Sequence, residues 1–599
     1  MGGACSRKRG EVNEESVQRG AAAKYFKTGS SKWLNTSFRL GAKNSQGIDK
    51  CPSLIELCVH KICKDIDKFI EKYRTFSMLP RDISQLIFIE LVNSHCLNET
   101  SLEAFRDCAL EDILLGEYPG VNDSWMDVIA SQVLSLLAVD LSGSDITDCG
   151  LLHLEDCINL QNLTFNYCDH LSDLGLEHIS GFSNLTSLSF KKNNAITAQG
   201  MSAFAHLPNL LRLDLERCSK IHGGLVHLSG LTKLESLNVR CCNCITDTDM
   251  KPLSGLSNLK ELQISCSKVT DQGVAYLKGL SNLVLLNMEG SPVTAACLGS
   301  ISGLVALSYL NLSRCNISDD GCEKISGLVN LKVLNLGFNN ITDACLVNLK
   351  GLTNLESLNL DSCRIGDEGM TNLAGLVRLK CLELSDTEVG NVGLRHFSGL
   401  RSLESLNLSF TIVSDGGLRK LCGLTSLKSL NLDSRQITDI GLATLTSLTS
   451  LTHLDLFGCR ITDFGTTCLR YFKNLQSLEV CGGGLTDAGV KNIKDLTSLI
   501  HLNLSQNTNL TDKSMEMISD SKAGSGSGYV GTNDPDPESL TNLASLNISN
   551  SRITNSGLRY IKPLKNLRSL TLESCGVTAN EMKKLQATAL PNLLSFRPE

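Results

Sequence analysis

The sequence is poor in aromatic residues and in proline, and it contains no long apolar run. Aromatic residues make up 5% of the 599 residues, and only 11 residues are proline. No segment reaches the roughly 18 uninterrupted apolar residues of a membrane-spanning helix, and no apolar stretch near the start marks a secretory signal. Neither a glycine-rich phosphate loop nor a His-Glu-x-x-His motif occurs. We therefore expect no catalytic residue and no cofactor, and the sequence predicts a protein that is not an enzyme.

Charge is distributed unevenly along the chain. The net charge is −7; residues 1–50 contain ten Lys or Arg against four acidic residues, a balance of +6, which leaves −13 for the remainder. A basic arm on an acidic body indicates an anionic partner for the arm, either membrane lipid or nucleic acid. The body shows no basic stripe, so we expect no nucleic acid to bind there.

The 25 cysteines are scattered along the chain instead of forming a disulfide framework. This usage is typical of a reducing compartment, the cytosol or the nucleus. Cys241, Cys242 and Cys244 are close together, but a zinc site would need a second Cys/His cluster at fixed spacing. We therefore predict no metal site and assign Cys242 to a structural position, with Cys241 and Cys244 as its neighbours.

Leu-x-Leu pairs recur at a fixed period. Eleven pairs from Leu262/Ile264 to Leu502/Leu504 are separated by ten intervals of 24 residues, and the series extends back to Val139 in steps of 24 or 25. It resumes at Leu546 and is expected to close at Leu594/Phe596, which predicts about 19 strands. The one gap contains an insertion near 519–538 that is rich in Gly, Ser, Asp and Pro, a composition typical of a flexible loop.

Each unit predicts one short strand and one short helix. Leu310 and Leu312 bury one face of a strand, and Ser318-Asp319 offers side-chain oxygens to the first backbone N–H groups of a helix. Three residues after the second leucine stands Cys, Asn, Ser or Thr, a small polar residue that pairs with turning backbone. The middle residue of each pair, most often Asn, is predicted to form a solvated sheet face.

This pattern resembles the cysteine-containing leucine-rich repeats of F-box proteins, over residues 109–599. The resemblance implies an α/β fold: a leucine-rich-repeat solenoid whose curved parallel sheet carries short helices on its convex side and binds a protein on its concave face. Aromatic and Arg residues beside the strands are typical interface anchors. We predict a partner-binding surface that contains Arg212, Arg217, Arg240, Tyr309, Arg314, Phe338, Phe410 and Phe457.

Residues 51–108 do not follow the repeat and are predicted to be helical. Leu54, Cys58 and Ile62 recur every four residues, so they share one helix face. With Ser53 they resemble the BC-box, the helix by which ubiquitin-ligase substrate receptors dock on elongin C. Such a face can enter a partner's groove.

Leu79 and Pro80 open a second helical pattern in this segment, which resembles the start of an F-box and also the cullin-contacting helix that follows a BC-box. The later F-box signature is absent. The adaptor is therefore left open between a Skp-type protein and elongin C, each with a cullin. Alternatively, the segment only caps the first repeat, as every solenoid requires.

The arm, residues 1–50, begins with a lipidation pattern. Gly2 and Ser6 fit N-myristoylation, and Cys5 is a candidate for S-palmitoylation. The basic run Arg7–Arg9 adds attraction to anionic lipid. We expect a cytoplasmic protein at the cytosolic face of a membrane, or in the nucleus if it is not lipidated. Two functions remain: a substrate receptor of a cullin-type ubiquitin ligase, or a non-catalytic membrane-tethered scaffold.

Overall fold

The computed structural model describes residues 52–519 and 540–597, and it divides the chain into two compact units. The first unit ends at Leu283 and the second begins at Val284. The arm with Gly2 and Cys5, and all of the predicted insertion except Ser519, lie outside the described residues. In the two described stretches, no helix has both the length and the apolar character needed to cross a membrane.

The first unit opens with a helical segment. A capping box starts its first helix: the Ser53 hydroxyl accepts a hydrogen bond from Glu56 N at 3.2 Å, and the Glu56 carboxylate accepts one from Ser53 N. The four helices are α1 (Leu54–Lys64), α2 (Ile66–Tyr73), α3 (Arg81–Asn93) and α4 (Glu99–Glu103).

The rest of the first unit is a parallel sheet with a short helix or 3-10 turn after each strand. Its strands are β1 (Asp112–Leu114), β2 (Ala138–Asp140), β3 (Asn162–Thr164), β4 (Ser187–Ser189), β5 (Arg212–Asp214), β6 (Ser236–Asn238) and β7 (Glu261–Gln263). The α-helices are α5 (Met126–Ala130), α6 (Asp148–Leu152), α7 (Asp173–Glu177), α8 (Asp247–Met250) and α9 (Asp271–Val274). The 3-10 turns span Asp123–Trp125, Gly200–His206, Gly224–Leu228, Lys251–Gly255 and Ala275–Leu277.

The second unit repeats this plan in a longer parallel sheet. Its strands are β8 (Leu285–Asn287), β9 (Tyr309–Asn311), β10 (Val333–Asn335), β11 (Ser357–Asn359), β12 (Cys381–Glu383), β13 (Ser405–Asn407), β14 (Ser429–Asn431), β15 (His453–Asp455), β16 (Ser477–Glu479), β17 (His501–Asn503), β18 (Ser545–Asn547), β19 (Ser569–Thr571) and β20 (Ser595–Arg597). The α-helices are α10 (Cys297–Ile301), α11 (Asp343–Leu346), α12 (Asp415–Leu418), α13 (Asp439–Thr444), α14 (Asp463–Thr466), α15 (Asp487–Ile493), α16 (Asp512–Ser519) and α17 (Ala579–Thr588). The 3-10 turns span Cys322–Gly327, Val347–Leu349, Gly369–Asn372, Gly393–Gly399, Arg419–Leu421, Thr467–Tyr471 and Gly557–Arg559.

The predicted fold class, a parallel sheet with short helices, is confirmed, and the strands from Val139 to Leu570 lie where the period places them. Two details of the prediction were wrong. An additional strand, β1, precedes the series, with Ile113 opposite Val139 of β2. At the end of the series Phe596, and not Leu594, lies opposite Leu570, while the Leu594 side chain is exposed.

A carboxylate connects many of the repeats to the next one. The two oxygens of Asp439 accept hydrogen bonds from Thr462 N at 2.8 Å and Thr462 Oγ1 at 2.6 Å. The same hydroxyl accepts a hydrogen bond from Phe464 N, so it also caps α14. Equivalent pairs in both units are Asp123/Thr147, Asp148/Ser172, Asp173/Thr197, Asp247/Thr270, Asp319/Thr342, Asp415/Thr438, Asp463/Thr486, Asp487/Thr511 and Asp512/Thr554.

The glycine of the Thr-Asp-x-Gly segment leaves space for this carboxylate. A Cβ added at Gly465 would overlap Oδ1 of Asp439, and one added at Gly441 would overlap Oδ1 of Asp415. The recurring Thr-Asp-x-Gly spacing therefore has a steric cause. Asp of one repeat accepts hydrogen bonds from Thr of the next repeat, and Gly of that next repeat leaves room for the carboxylate.

A cysteine or asparagine three residues after the second leucine forms a second connection between repeats, as predicted for the cysteines. Cys315 Sγ donates to Met288 O at 3.3 Å, which crosses to the preceding repeat. Asn339 Nδ2 reaches Leu312 O in the same way at 2.8 Å. Burial raises the pKa of such thiols, to about 11 for Cys218 and about 12 for Cys459. These cysteines are protonated donors in the core, which confirms the structural assignment.

We expect Gly465→Ala and Asp439→Ala each to lower the free energy of unfolding by about 2 kcal/mol, because either change breaks the carboxylate contact with Thr462. The double variant should lose less than the sum of the two, since both changes remove one interaction. Urea unfolding followed by circular dichroism measures this. Gly423→Ala is the control, since open space surrounds its Cβ position. Strictly additive losses would contradict the shared contact.

Candidate functional site

The asparagine column on the sheet face has a structural role. Asn311 is fully buried, and its Oδ1 accepts a hydrogen bond from Ser313 N at 2.9 Å. Asn335 Oδ1 accepts from Gly337 N at 3.0 Å in the same geometry. These side chains close the turn that follows each strand. The prediction of a solvated face was therefore wrong for the buried members, which are Asn238, Asn287, Asn311 and Asn335.

The residue two places after the second leucine of a pair, which we name the turn position, adopts a left-handed backbone conformation in most repeats, Ser434 being an exception. Its φ is 53° at Arg314 and 55° at Phe410. This conformation costs a non-glycine residue about 1–2 kcal/mol. Other side chains in this conformation at the turn position are Glu117, Tyr167, Lys192, Arg217, Cys241 and Cys266 in the first unit and Phe338, Ser362, Asp386, Gln506, Asn550 and Ser574 in the second.

The predicted partner residues of the first unit fall at three different positions of the repeat. Arg217 is exposed at the turn position, Arg212 is half-buried in β5, and Arg240 is half-buried after β6. A charged group accompanies them: Lys191 Nζ lies 3.0 Å from Asp214 Oδ2 and 3.4 Å from Glu216 Oε2. Burial raises the pKa of Asp214 despite the nearby ammonium. This face thus presents both signs of charge.

In the second unit, the structure brings two of the predicted residues together. The guanidinium carbon of Arg314 lies 3.8 Å from the centre of the Phe338 ring, a cation–π contact between neighbouring repeats. Phe410 lies three repeats further on and is 67% exposed. Tyr309 in β9 and Phe457 after β15 are half-buried and stand at other positions.

The turn position between Phe338 and Phe410 is polar. Ser362 Oγ donates to Asp386 Oδ2 at 3.1 Å, and burial raises the pKa of Asp361 beside them. Sequence reasoning missed Asp386, and in the first unit it missed Tyr167 and Lys192, whose ammonium lies 5.4 Å from the Tyr167 ring centre. Comparing the residue before each Cys/Asn/Ser/Thr position would have found this column.

Helix α1 has one buried and one exposed apolar face. Val59 and Cys63 are buried, and Cys63 Sγ lies 3.8 Å from the Ile87 carbonyl of α3. The BC-box-like residues are on the other side: Leu54 is 77% exposed, Cys58 is exposed, and Ile62 is half-buried. The structure thus brings these three together on one face.

Helix α3 packs against the sheet of the first unit. Ile87, Phe88 and Leu91 are buried. Gln85 pairs with the edge of β1, since its Nε2 donates to Asp112 O at 2.7 Å and its Oε1 accepts from Glu111 N at 2.9 Å. At the start of α3, Leu79 is half-buried and Pro80 is exposed. This helix therefore covers the open edge of the sheet.

Comparison with protein families identifies the repeats. The family described as "Leucine-rich repeat region" matches residues 274–526, and "Leucine Rich repeat" matches residues 183–205, 230–254 and 255–278. The chain is a leucine-rich-repeat protein. Leucine-rich repeats are a protein-interaction architecture, so protein binding is the function that this fold supports.

Solved structures with a similar fold are also leucine-rich-repeat proteins. An internalin (inlF) of Listeria monocytogenes is 27% identical over 54% of this chain and 88% of its own, with a TM-score of 0.46. A leucine-rich-repeat protein of Leptospira interrogans is 19% identical over 79% and 97%, with a TM-score of 0.40. The ectodomain of the Arabidopsis receptor kinase HAESA is 17% identical over 80% of each chain, with a TM-score of 0.45. A comparison with curated proteins gave no match.

Within the stretches that the structure describes, no group of three or more His, Cys, Asp or Glu side chains is arranged to hold a metal ion. The cysteine group Cys241, Cys242 and Cys244 is divided by the fold. Cys242 Sγ donates to Leu215 O at 3.1 Å in the core, while Cys244 Sγ lies 3.7 Å from Cys218 O. This leucine-rich-repeat protein thus uses Cys242 as a structural donor.

Substitutions at the turn position should separate surface effects from folding effects. We expect Phe410→Gly to keep or slightly raise the free energy of unfolding, because glycine adopts the left-handed conformation without strain. Phe410→Val should lower it, because a β-branched residue tolerates a positive φ less well than phenylalanine does. Ile412→Gly, two residues along at an exposed site without a positive φ, should lower it by about 1 kcal/mol. Equal losses for the two glycine variants in urea unfolding would refute the strain argument.

Proposed function

We propose that this leucine-rich-repeat protein is a substrate receptor of a cullin-type ubiquitin ligase, in which α1 holds the adaptor and the sheet faces hold the substrate. One observation carries the proposal: the outer face of α1 is apolar and exposed, at Leu54, Leu57 and Cys58. Exposed apolar area is unfavourable by about 25 cal/mol per Å². A cluster of such residues on one helix face is typical of a helix that docks in a partner's groove.

The difference in exposure between α1 and α3 favours elongin C over a Skp-type adaptor. The residues of α3 that would form the hydrophobic part of an F-box helix, Ile87, Phe88 and Leu91, are buried in the first unit. Those of α1 that match the BC-box pattern face outward. The capping function thus belongs to α3, which leaves α1 available for an adaptor, and the two predicted roles of this segment fall on different helices.

The proposed substrate side consists of the turn position and its neighbours. The stacked pair of Arg314 and Phe338, and the exposed ring of Phe410, are residue types that anchor protein interfaces. Their left-handed backbone directs variable side chains outward from an otherwise fixed repeat. The substrate would therefore be recognised by the differences between repeats at this position.

We expect Leu54→Ala/Cys58→Ala to abolish co-purification of elongin C and a cullin with the full-length protein, because both side chains lie on the exposed face of α1. Quantitative mass spectrometry of affinity-purified protein measures this. Leu79→Ala/Pro80→Ala should have the smaller effect.

Leu134→Ala is the matched control, since Leu134 is an 81% exposed leucine elsewhere in the first unit. It should retain the adaptor. Absence of any cullin adaptor from the wild-type sample would refute the ligase proposal, and retention of the adaptor by the α1 variant would refute the assignment to α1.

The second candidate is a non-catalytic scaffold tethered to a membrane. The sequence of the arm favours it, since Gly2 and Ser6 fit N-myristoylation and Cys5 fits S-palmitoylation. A single myristoyl chain binds membranes with K of about 10⁴ M⁻¹, so a second signal is needed. Both Cys5 and the run Arg7–Arg9 can supply it. A lipidated arm would place either function at the cytosolic face of a membrane.

We expect Gly2→Ala to move the protein from the membrane pellet to the soluble fraction, because the acylated residue is lost. Gly3→Ala is the control and should remain in the pellet. Fractionation with immunoblotting measures the distribution. A wild-type protein that is entirely soluble would eliminate the tether.

A further inference from the structure

Two cysteines occupy the turn position on successive repeats of the first unit. Strands β6 and β7 pair in register with Leu237 opposite Leu262, an offset of 25 residues that also relates Cys241 to Cys266. The ladder continues into the turn, since Cys241 N donates to Ser265 O at 2.8 Å. The two cysteines are therefore direct neighbours across the ladder.

The backbone gives both side chains the same direction. The φ angles are 58° at Cys241 and 54° at Cys266. Neighbouring strands lie about 4.8 Å apart, and disulfide-linked Cα atoms lie about 4.4–6.8 Å apart. The spacing of the pair thus falls within the range that a disulfide requires.

The exposure of the pair distinguishes it from the cysteines of the core. Cys266 is exposed and Cys241 is half-buried, whereas Cys218 and Cys242 are buried and donate to backbone carbonyls. The second unit contains a buried counterpart, Cys322 and Cys345, which are also on successive repeats. A hydrogen bond with Cys322, followed by burial, raises the pKa of the Cys345 thiol. Such thiols are poor nucleophiles.

We propose that Cys241 and Cys266 form a redox-active dithiol whose oxidant is a low-molecular-weight disulfide such as glutathione disulfide. The exposed Cys266 thiolate attacks one sulfur of the oxidant and forms a mixed disulfide, and one glutathione leaves as a thiolate that takes up the proton from Cys266. Cys241 then attacks the Cys266 sulfur, and the second glutathione leaves with the proton of Cys241. Two protein thiols are oxidised and one disulfide is reduced to two thiols.

The setting of the pair suits this oxidant. Arg217 stands at the turn position of the preceding repeat, and its N donates to Arg240 O at 2.8 Å, which places it next to Cys241 in the ladder. Its side chain is 57% exposed, and its Nε lies 4.0 Å from Glu216 Oε1. An exposed cation at this position attracts the carboxylates of glutathione disulfide in competition with Glu216. Closing the disulfide would link two repeats across their exposed edge, on the sheet face that carries Arg217 and Arg240.

The test treats the full-length protein with glutathione disulfide, blocks remaining thiols, and maps tryptic peptides without reduction. Tryptic cleavage separates residues 241–260 from residues 261–268, because trypsin does not cleave the Lys251–Pro252 bond. We expect a cross-link between Cys241 and Cys266, loss of both thiols, and recovery of both with dithiothreitol. Cys322 and Cys345 should remain thiols, and the exposed Cys422 should carry glutathione without a cross-link.

The variant Cys241→Ser distinguishes a dithiol from two independent thiols. In this variant, Cys266 should keep its bound glutathione, because the second thiol is absent. If wild-type Cys266 retains glutathione to the same extent as in the variant, or if residues 261–268 are linked through Cys244, the proposal is wrong.

Discussion

The carboxylate that reaches from one repeat to the next is the interaction on which the rest of the structure depends. Asp439 fixes the amide and hydroxyl of Thr462, and that hydroxyl fixes the first turn of α14. Each helix therefore begins at a place set by the preceding repeat. Stability in such an array is a sum of contacts between neighbours, and these positions cannot vary without losing one. Variation is left to the side chains that the contact does not use, the turn position above all.

The exceptions show how strongly this contact acts. Alanine replaces the aspartate at Ala198 in the first unit. In the next repeat, a 3-10 turn takes the place of the α-helix, and the residue that precedes this turn is Gly223, with φ of 83°. Asp249 of the following repeat then reaches backwards, and it accepts hydrogen bonds from Gly223 N at 2.6 Å and His222 Nδ1 at 2.8 Å. The buried carboxylate of Asp249 thus binds the start of this turn from the following repeat, where the aspartate of the preceding repeat is absent. In the second unit, Ala295 is likewise followed by Gly321 with φ of 86°.

The sequence predicted what periodicity controls and failed where local geometry decides. Leucine spacing located the strands, because burial of alternate side chains leaves a period that survives substitution. It missed β1, where Ile113 stands in the leucine place. The asparagines looked like solvated surface, but Asn311 Oδ1 closes the turn onto Ser313 N. Residue type alone does not distinguish a side-chain amide that is exposed to water from one that is hydrogen-bonded to the backbone. The left-handed conformation at the turn position could not be predicted for a similar reason, since the residue types of Arg314 and Phe338 do not indicate a positive φ.

Helix α1 shows why the site is harder to predict than the fold. Apolar residues lie on two sides of this helix, and a sequence pattern cannot tell which side meets the protein. The structure decides it by packing Cys63 against the Ile87 carbonyl, which leaves Leu54 and Cys58 facing water. The cysteines divide in the same way. One residue type serves as a buried donor at Cys242 and as an exposed thiol at Cys266, because neighbouring positions of one repeat point to opposite sides of the chain. The chemical role of a residue in this fold therefore depends on its position within the repeat, and residue type alone does not predict that role.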